Sequence, residues 1–127
     1  DPVTLFRSHD PDYPDGGQMR DFIYVDDCVS VMLWLLDHPE VSGLFNVGTG
    51  CASTFHDLIG SMFAALDVDP SIRWIDTPPE IRDRYQYFTQ AETSRLRAVG
   101  YDADFTSVEY GVRQYVTRFL ARDDPYR

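Results

Sequence analysis

With 127 residues, 43% of them hydrophobic and 14% aromatic, the chain has the material for one ordered domain with a real core. Its formal net charge of −10 sets up a field that repels phosphodiester backbones, so nucleic acid is excluded as the expected partner. The longest apolar run, Val29 to Leu36 with Ser30 inside it, falls far short of the about 20 residues that cross a bilayer, so no membrane partner is expected.

In chain order, Val3 to Phe6 alternates as a short strand, and Asp10 to Gly17, with two prolines and two glycines, reads as a loop. Phe22 to Val25 reads as a second strand. Asp26 and Asp27 then stand where N-cap carboxylates belong, and Val29, Met32, Leu33 and Leu36 follow the i, i+3, i+4, i+7 spacing of a helix that Pro39 stops. That apolar face is wide enough to be expected well covered. Leu44 to Val47 reads as a compact strand, and Gly48-Thr49-Gly50 turns the chain into a helix with Phe55, Leu58, Ile59, Met62, Phe63 and Leu66 on one face.

Further on, Ile72 to Ile75 predicts a strand, Thr77 to Glu80 a proline-rich connection, and Thr93 to Val99 a short helix closed by Gly100. Thr106 to Glu109 matches a capping box for a last helix over about 105–122, whose stripe is Val108, Val112, Tyr115, Val116, Phe119 and Leu120. Strands mixed with helices, without repeats, predict one α/β unit with a small sheet.

Several chemistries lack their residues. All eleven basic residues are arginine, so no step can use a lysine of this chain. Cys28 and Cys51 have no C-x-x-C spacing and read as buried packing in an intracellular, cytoplasmic setting. His9, His38 and His56 are scattered, and no metal site is expected. The opening Asp1-Pro2-Val3 carries no initiator Met and no signal-peptide pattern, and reads as a piece of something longer.

Gly48-Thr49-Gly50 imitates a dinucleotide-binding turn, but Ser53 stands where the third glycine belongs, so a simple tight turn is the better reading. Arg20, beside the long loop, could fork onto a phosphate; the plain alternative is a solvated pair with Asp21. Arg82 to Tyr87 combines guanidinium groups with aromatic faces, which suits a nucleotide diphosphate as well as it suits a charged surface loop. A tyrosine base of the reductase kind leans on a nearby lysine, so Tyr24, Tyr85 and Tyr87 read as packing or ligand-stacking residues.

Together, RDFIYVDDCV from Arg20, GLFNVGTG from Gly43 and RYQYFTQAETSRLRAVGY from Arg84 closely resemble the C-terminal part of the ADP-glyceromanno-heptose 6-epimerases. The first two blocks are shared widely among extended short-chain dehydrogenase/reductase epimerases and dehydratases, whereas the third is far more specific to the heptose enzymes. The resemblance implies an α/β fold in which residues 1–127 are the C-terminal substrate-binding portion and the N-terminal Rossmann half is absent. It implies an isomerase that inverts C6 of ADP-D-glycero-D-manno-heptose by oxidation and reduction, on the route to the lipopolysaccharide inner core. NADP would be held by the absent half, which also carries the Tyr-x-x-x-Lys machinery. The isolated piece is therefore expected to bind no cofactor, supply no catalytic residue and be inactive alone.

The resemblance further implies an ADP-sugar as substrate partner and a homo-oligomer for the whole enzyme. It places Arg20 near the substrate diphosphate and Phe6, Arg7, Ser8 and His9 along the nucleotide, with Phe6 alone keeping the family's residue type. Tyr85 would contact substrate, and Arg84 would give a second phosphate contact or position its loop; Asp83 replaces a glycine found in some relatives. Another nucleotide-sugar epimerase or dehydratase, and a non-catalytic nucleotide-diphosphate-binding module, remain the alternative readings.

Overall fold

The computed structural model of the chain describes residues 2–124. Strands β1 (Val3–Phe6) and β4 (Ile72–Ile75) fall where the alternation predicts and pair in parallel, Val3 opposite Ile72 and Phe6 opposite Ile75. A parallel pair requires a long crossover, and the stretch between the two strands supplies it. Within that crossover β2 (Met19–Arg20) and β3 (Ser53–Thr54) pair antiparallel, Met19 opposite Thr54 and Arg20 opposite Ser53. Met19 also bridges Phe88, so three stretches distant in sequence meet at one residue.

Helix α1 spans Val25–Asp37 and α2 spans Phe55–Leu66. Thr54 caps α2: its hydroxyl accepts from Asp57 N at 2.9 Å, while the Asp57 carboxylate accepts from Thr54 N at 3.2 Å, which satisfies two end-of-helix donors reciprocally. Asp67, left-handed at φ 53°, ends the helix. Two short helices follow, α3 (Pro79–Arg82) and α4 (Ser94–Ala98), then α5 (Val108–Tyr115), which packs on α2 and runs into a π-helical turn at Val116–Leu120. The core joins Val31 of α1, Leu96 of α4 and Tyr101, with Trp34, Leu35, Phe45 and Phe105 packed around them.

The α/β class and the several helices are as predicted, and the prediction of one small sheet becomes two two-stranded ones. Other expectations need correction. Phe22 to Val25 is no strand: Tyr24 already takes the N-cap position of α1, and its carbonyl accepts from Asp27 N at 3.1 Å. Asp26 and Asp27 consequently lie in the first turn, and Asp27 instead accepts from Thr106 N and Thr106 Oγ1, both at 2.8 Å. Because Thr106 is so used, Ser107 caps the last helix, and the expected helix over 105–122 is α5 plus the π turn.

Leu44 to Val47 has no strand partner among the described residues, since apolar extended sequence makes a strand only where another edge receives its backbone groups. The stripe expected to be covered on α1 is open: Val29, Met32, Leu33 and Leu36 are 40%, 56%, 56% and 76% exposed. The helix buries Val31 instead. Part of the proline-rich connection coils into α3, where Pro79 occupies the first turn that tolerates it. Cys51 is exposed and Cys28 half-buried, so neither is the buried packing residue expected.

Candidate functional site

Residues of β1, β2, the start of α2 and the segment after α3 converge on one face. Phe6 ends β1, and its carbonyl receives the Nε2 amide of Gln18 at 3.4 Å. Gln18 itself is buried; a buried amide left unpaired is costly, so this contact helps hold the strand end. The Phe6 ring meets Tyr85 edge to face, with centroids 6.0 Å apart at 85°, and Tyr85 meets Tyr87 in the same manner at 5.4 Å. Phe6, Gln18, Phe55 and Tyr85, with Thr4, Leu5 and Gly16, line a cavity of about 210 Å³.

Beside it stands Arg20. Its guanidinium carbon lies 5.7 Å from the Phe55 ring centre and 5.6 Å from that of Tyr85, and Nη1 donates to Met19 O at 2.7 Å. The aromatic quadrupoles attract the cation and fix its plane. Ion pairs among the described residues join Arg7 to Asp15 and Arg118 to Asp26, so the charge of Arg20 is not spent on Asp21. A guanidinium has five N–H donors, and the arrangement leaves Arg20 able to fork onto an anion.

Asp21 faces elsewhere. Its carboxylate accepts from Thr49 N at 2.8 Å, Thr49 Oγ1 at 2.5 Å, Gly50 N at 2.9 Å and Ala91 N at 3.0 Å. Partial burial raises its pKa, but the donors of Thr49, Ala91 and Gly50 together outweigh this and hold the group below its ordinary 3.8. The glycine turn thus does cradle an anion, and the anion is the chain's own. Gly50 sits at φ 72°, a left-handed conformation glycine adopts freely. With the amides of Thr49 and Gly50 occupied and no lysine in the sequence, the turn does not fit a cofactor pyrophosphate.

The structure brings Phe6, Arg20 and Tyr85 together as one cluster. Arg7 forms an exposed ion pair with Asp15 at 2.9 Å. Ser8 is tied into the loop, its N–H donating to Asp15 Oδ1 at 2.7 Å and its hydroxyl to Asp10 O at 2.9 Å. His9 N donates to the Tyr87 hydroxyl at 2.9 Å, so the rim of the site is pinned to the 85–87 segment. Arg84 is exposed beside Tyr85. Tyr24 lies away from this face against Gly111; burial, then the charge of Asp26, pushes its phenol up and keeps it neutral.

Sequence reasoning singles out neither Phe55 nor Gln18 as a site residue, and the pair of Asp21 with Arg20, offered there as the plain alternative, gives way to contacts with Thr49, Gly50 and Ala91. Phe55 reads as one residue of a helix face, and nothing in a 3.6-residue period shows that the first residue of α2 points at β2. The buried Gln18 beside a glycine pair carried a faint signal, since a buried amide needs a carbonyl to receive it.

Residues 2–48 match the NAD dependent epimerase/dehydratase family. Over 124 residues, 98% of the chain, it is 56% identical to the ADP-L-glycero-D-manno-heptose-6-epimerase of Nitratidesulfovibrio vulgaris strain Hildenborough, of which this stretch is 38%. The chain is homologous to part of the heptose 6-epimerases. The Fusobacterium nucleatum enzyme of that name is 42% identical over 98% of the chain and 39% of its own length. Among solved structures, the Helicobacter pylori ADP-L-glycero-D-manno-heptose-6-epimerase superposes with a TM-score of 0.73 at 22% identity, covering 92% of this chain and 32% of that one. The Thermus thermophilus UDP-glucose 4-epimerase, solved with NAD, superposes at 0.67 and 27% identity over 88% and 33%. The chain thus spans about 38% of the length of the first of these relatives.

Proposed function

We propose that this chain is the substrate-side part of an epimerase that inverts C6 of ADP-D-glycero-D-manno-heptose to the L-glycero epimer, with NADP as cofactor. The observation that carries the reading is Arg20, a guanidinium held between Phe55 and Tyr85 beside the cavity that Phe6 and Gln18 line, in a chain 56% identical to an enzyme of that name. In this reading Arg20 forks onto the diphosphate through charge-assisted hydrogen bonds. Phe6 and Tyr85 give the nucleotide an apolar wall that excludes water, and Arg84 approaches from the exposed side. Arg7, Ser8 and His9 shape the rim through their contacts with Asp15 and Tyr87.

The cofactor would supply reversible hydride transfer, and residues outside this chain would hold it. The 127-residue chain alone is then a binding element without turnover. The test joins it to the remaining segment of the Nitratidesulfovibrio vulgaris relative and offers the chimera a panel of nucleotide sugars with NADP and with NAD. Epimerisation of ADP-heptose, and none by the chain alone, is the expected result. Turnover of UDP- or dTDP-sugars with ADP-heptose untouched would replace the heptose reading by that of another epimerase or dehydratase.

A further inference from the structure

Asp21 joins the segments that carry the two rings under Arg20. On one side its carboxylate holds the amides of Thr49 and Gly50, from which the chain runs through β3 straight into Phe55. On the other it holds the amide of Ala91, six residues beyond Tyr85. That second segment is also laced to Met19, which donates to Tyr87 O at 2.8 Å and accepts from Thr89 N at 3.2 Å. Gly48 closes the arrangement, because a Cβ there would lie 2.7 Å from Asp21 Oδ2 and collide with the Ala91 side chain.

We propose that Asp21 is a positioning residue: by drawing the glycine turn and the 89–91 segment onto one carboxylate, it sets Phe55 and Tyr85 against the Arg20 guanidinium. This deepens the reading above and rests on it for its functional consequence, since the ordered guanidinium is the group that would hold a diphosphate. Four donors converge on two oxygens that only a carboxylate supplies. An asparagine of the same shape has one oxygen and one NH2 group, so whichever way it turns, an amide donor meets another donor.

The test is solution NMR of the 127-residue chain. Arg20 side-chain protons over two rings carry upfield ring-current shifts that report the geometry without any ligand. In Asp21→Asn these shifts should fall by half or more while the Leu96 methyl and Tyr101 ring signals, which report the separate core, stay in place. Should that variant fail to fold, Thr49→Val, which removes the hydroxyl donor and keeps the amide, should reduce the shifts, and Thr49→Ser should retain them.

A folded Asp21→Asn with Arg20 shifts as in the unsubstituted chain would overturn the proposal, as would a folded Thr49→Val with unchanged shifts when Asp21→Asn does not fold. Titration with ADP separates the two layers. Lost shifts with ADP affinity down about tenfold or more support both; lost shifts with ADP affinity unchanged support the positioning role and defeat the diphosphate reading.

Discussion

At the residue scale, the partners of Asp21 predict an acid limb in stability. Its folded pKa is depressed below 3.8, so the stabilisation it gives is fully present above that unfolded value and is lost as pH falls through the lower folded one. Denaturant titrations from neutral pH down through this window should show a fall that Asp21→Asn lacks in part. At neutral pH the same variant should be less stable by about 1–3 kcal/mol, because whichever way the asparagine turns at least one backbone amide loses its acceptor. An acid limb of equal depth in both proteins would show that the carboxylate is not held as described. Arg20 was legible as a residue with two open readings, an anion fork or a pair with Asp21, because an arginine beside a long loop has few local ways to be satisfied. Asp21 was not, since sequence adjacency points to Arg20 whereas the donors it answers lie 28 to 70 residues away.

At the element scale, what could be read was what local chemistry decides. Alternation over four residues placed β1 and β4, whereas the capping box that Thr54 and Asp57 close on α2 is a finding of the structure. Thr54→Ala should cost about 1 kcal/mol in thermal or denaturant unfolding, and an unchanged midpoint would remove the cap from the account. The face that α1 buries could not be read. Its periodicity predicted burial of Leu33 and Leu36, yet an apolar stripe records only that a helix can be covered, not that a neighbour is present. Leu96, fully buried, should cost about 2–5 kcal/mol on replacement by Ala. Leu36→Ala, at a position 76% exposed, should stay within about 0.5 kcal/mol. Similar costs at the two positions would contradict the assigned core. The same limit applies to Leu44 to Val47, where β-forming residues have no partner strand among the described residues.

At the scale of the whole molecule, charge and site pull in opposite directions. A net charge of −10 repels an incoming diphosphate at long range, and at physiological salt that field decays over about 8 Å. In the proposed reading capture would therefore come from a local cation, and the geometry offers Arg20 at the cavity edge, backed by two rings and with no carboxylate partner among the described residues. The α/β architecture was legible because strands and helices alternate; the joining of β1, β2, α2 and the 85–91 segment into one site was not, because it is set by pairings such as Met19 with Phe88.

The most direct measurement is calorimetric titration of ADP into the chimera with the Nitratidesulfovibrio vulgaris segment, comparing Arg20→Ala with Arg113→Ala on α5. Loss of charge-assisted hydrogen bonds worth about 1.5–3 kcal/mol predicts an affinity at least about tenfold weaker for Arg20→Ala and unchanged for Arg113→Ala. Equal affinity in the Arg20→Ala and unsubstituted proteins would contradict the assignment of this guanidinium to the diphosphate.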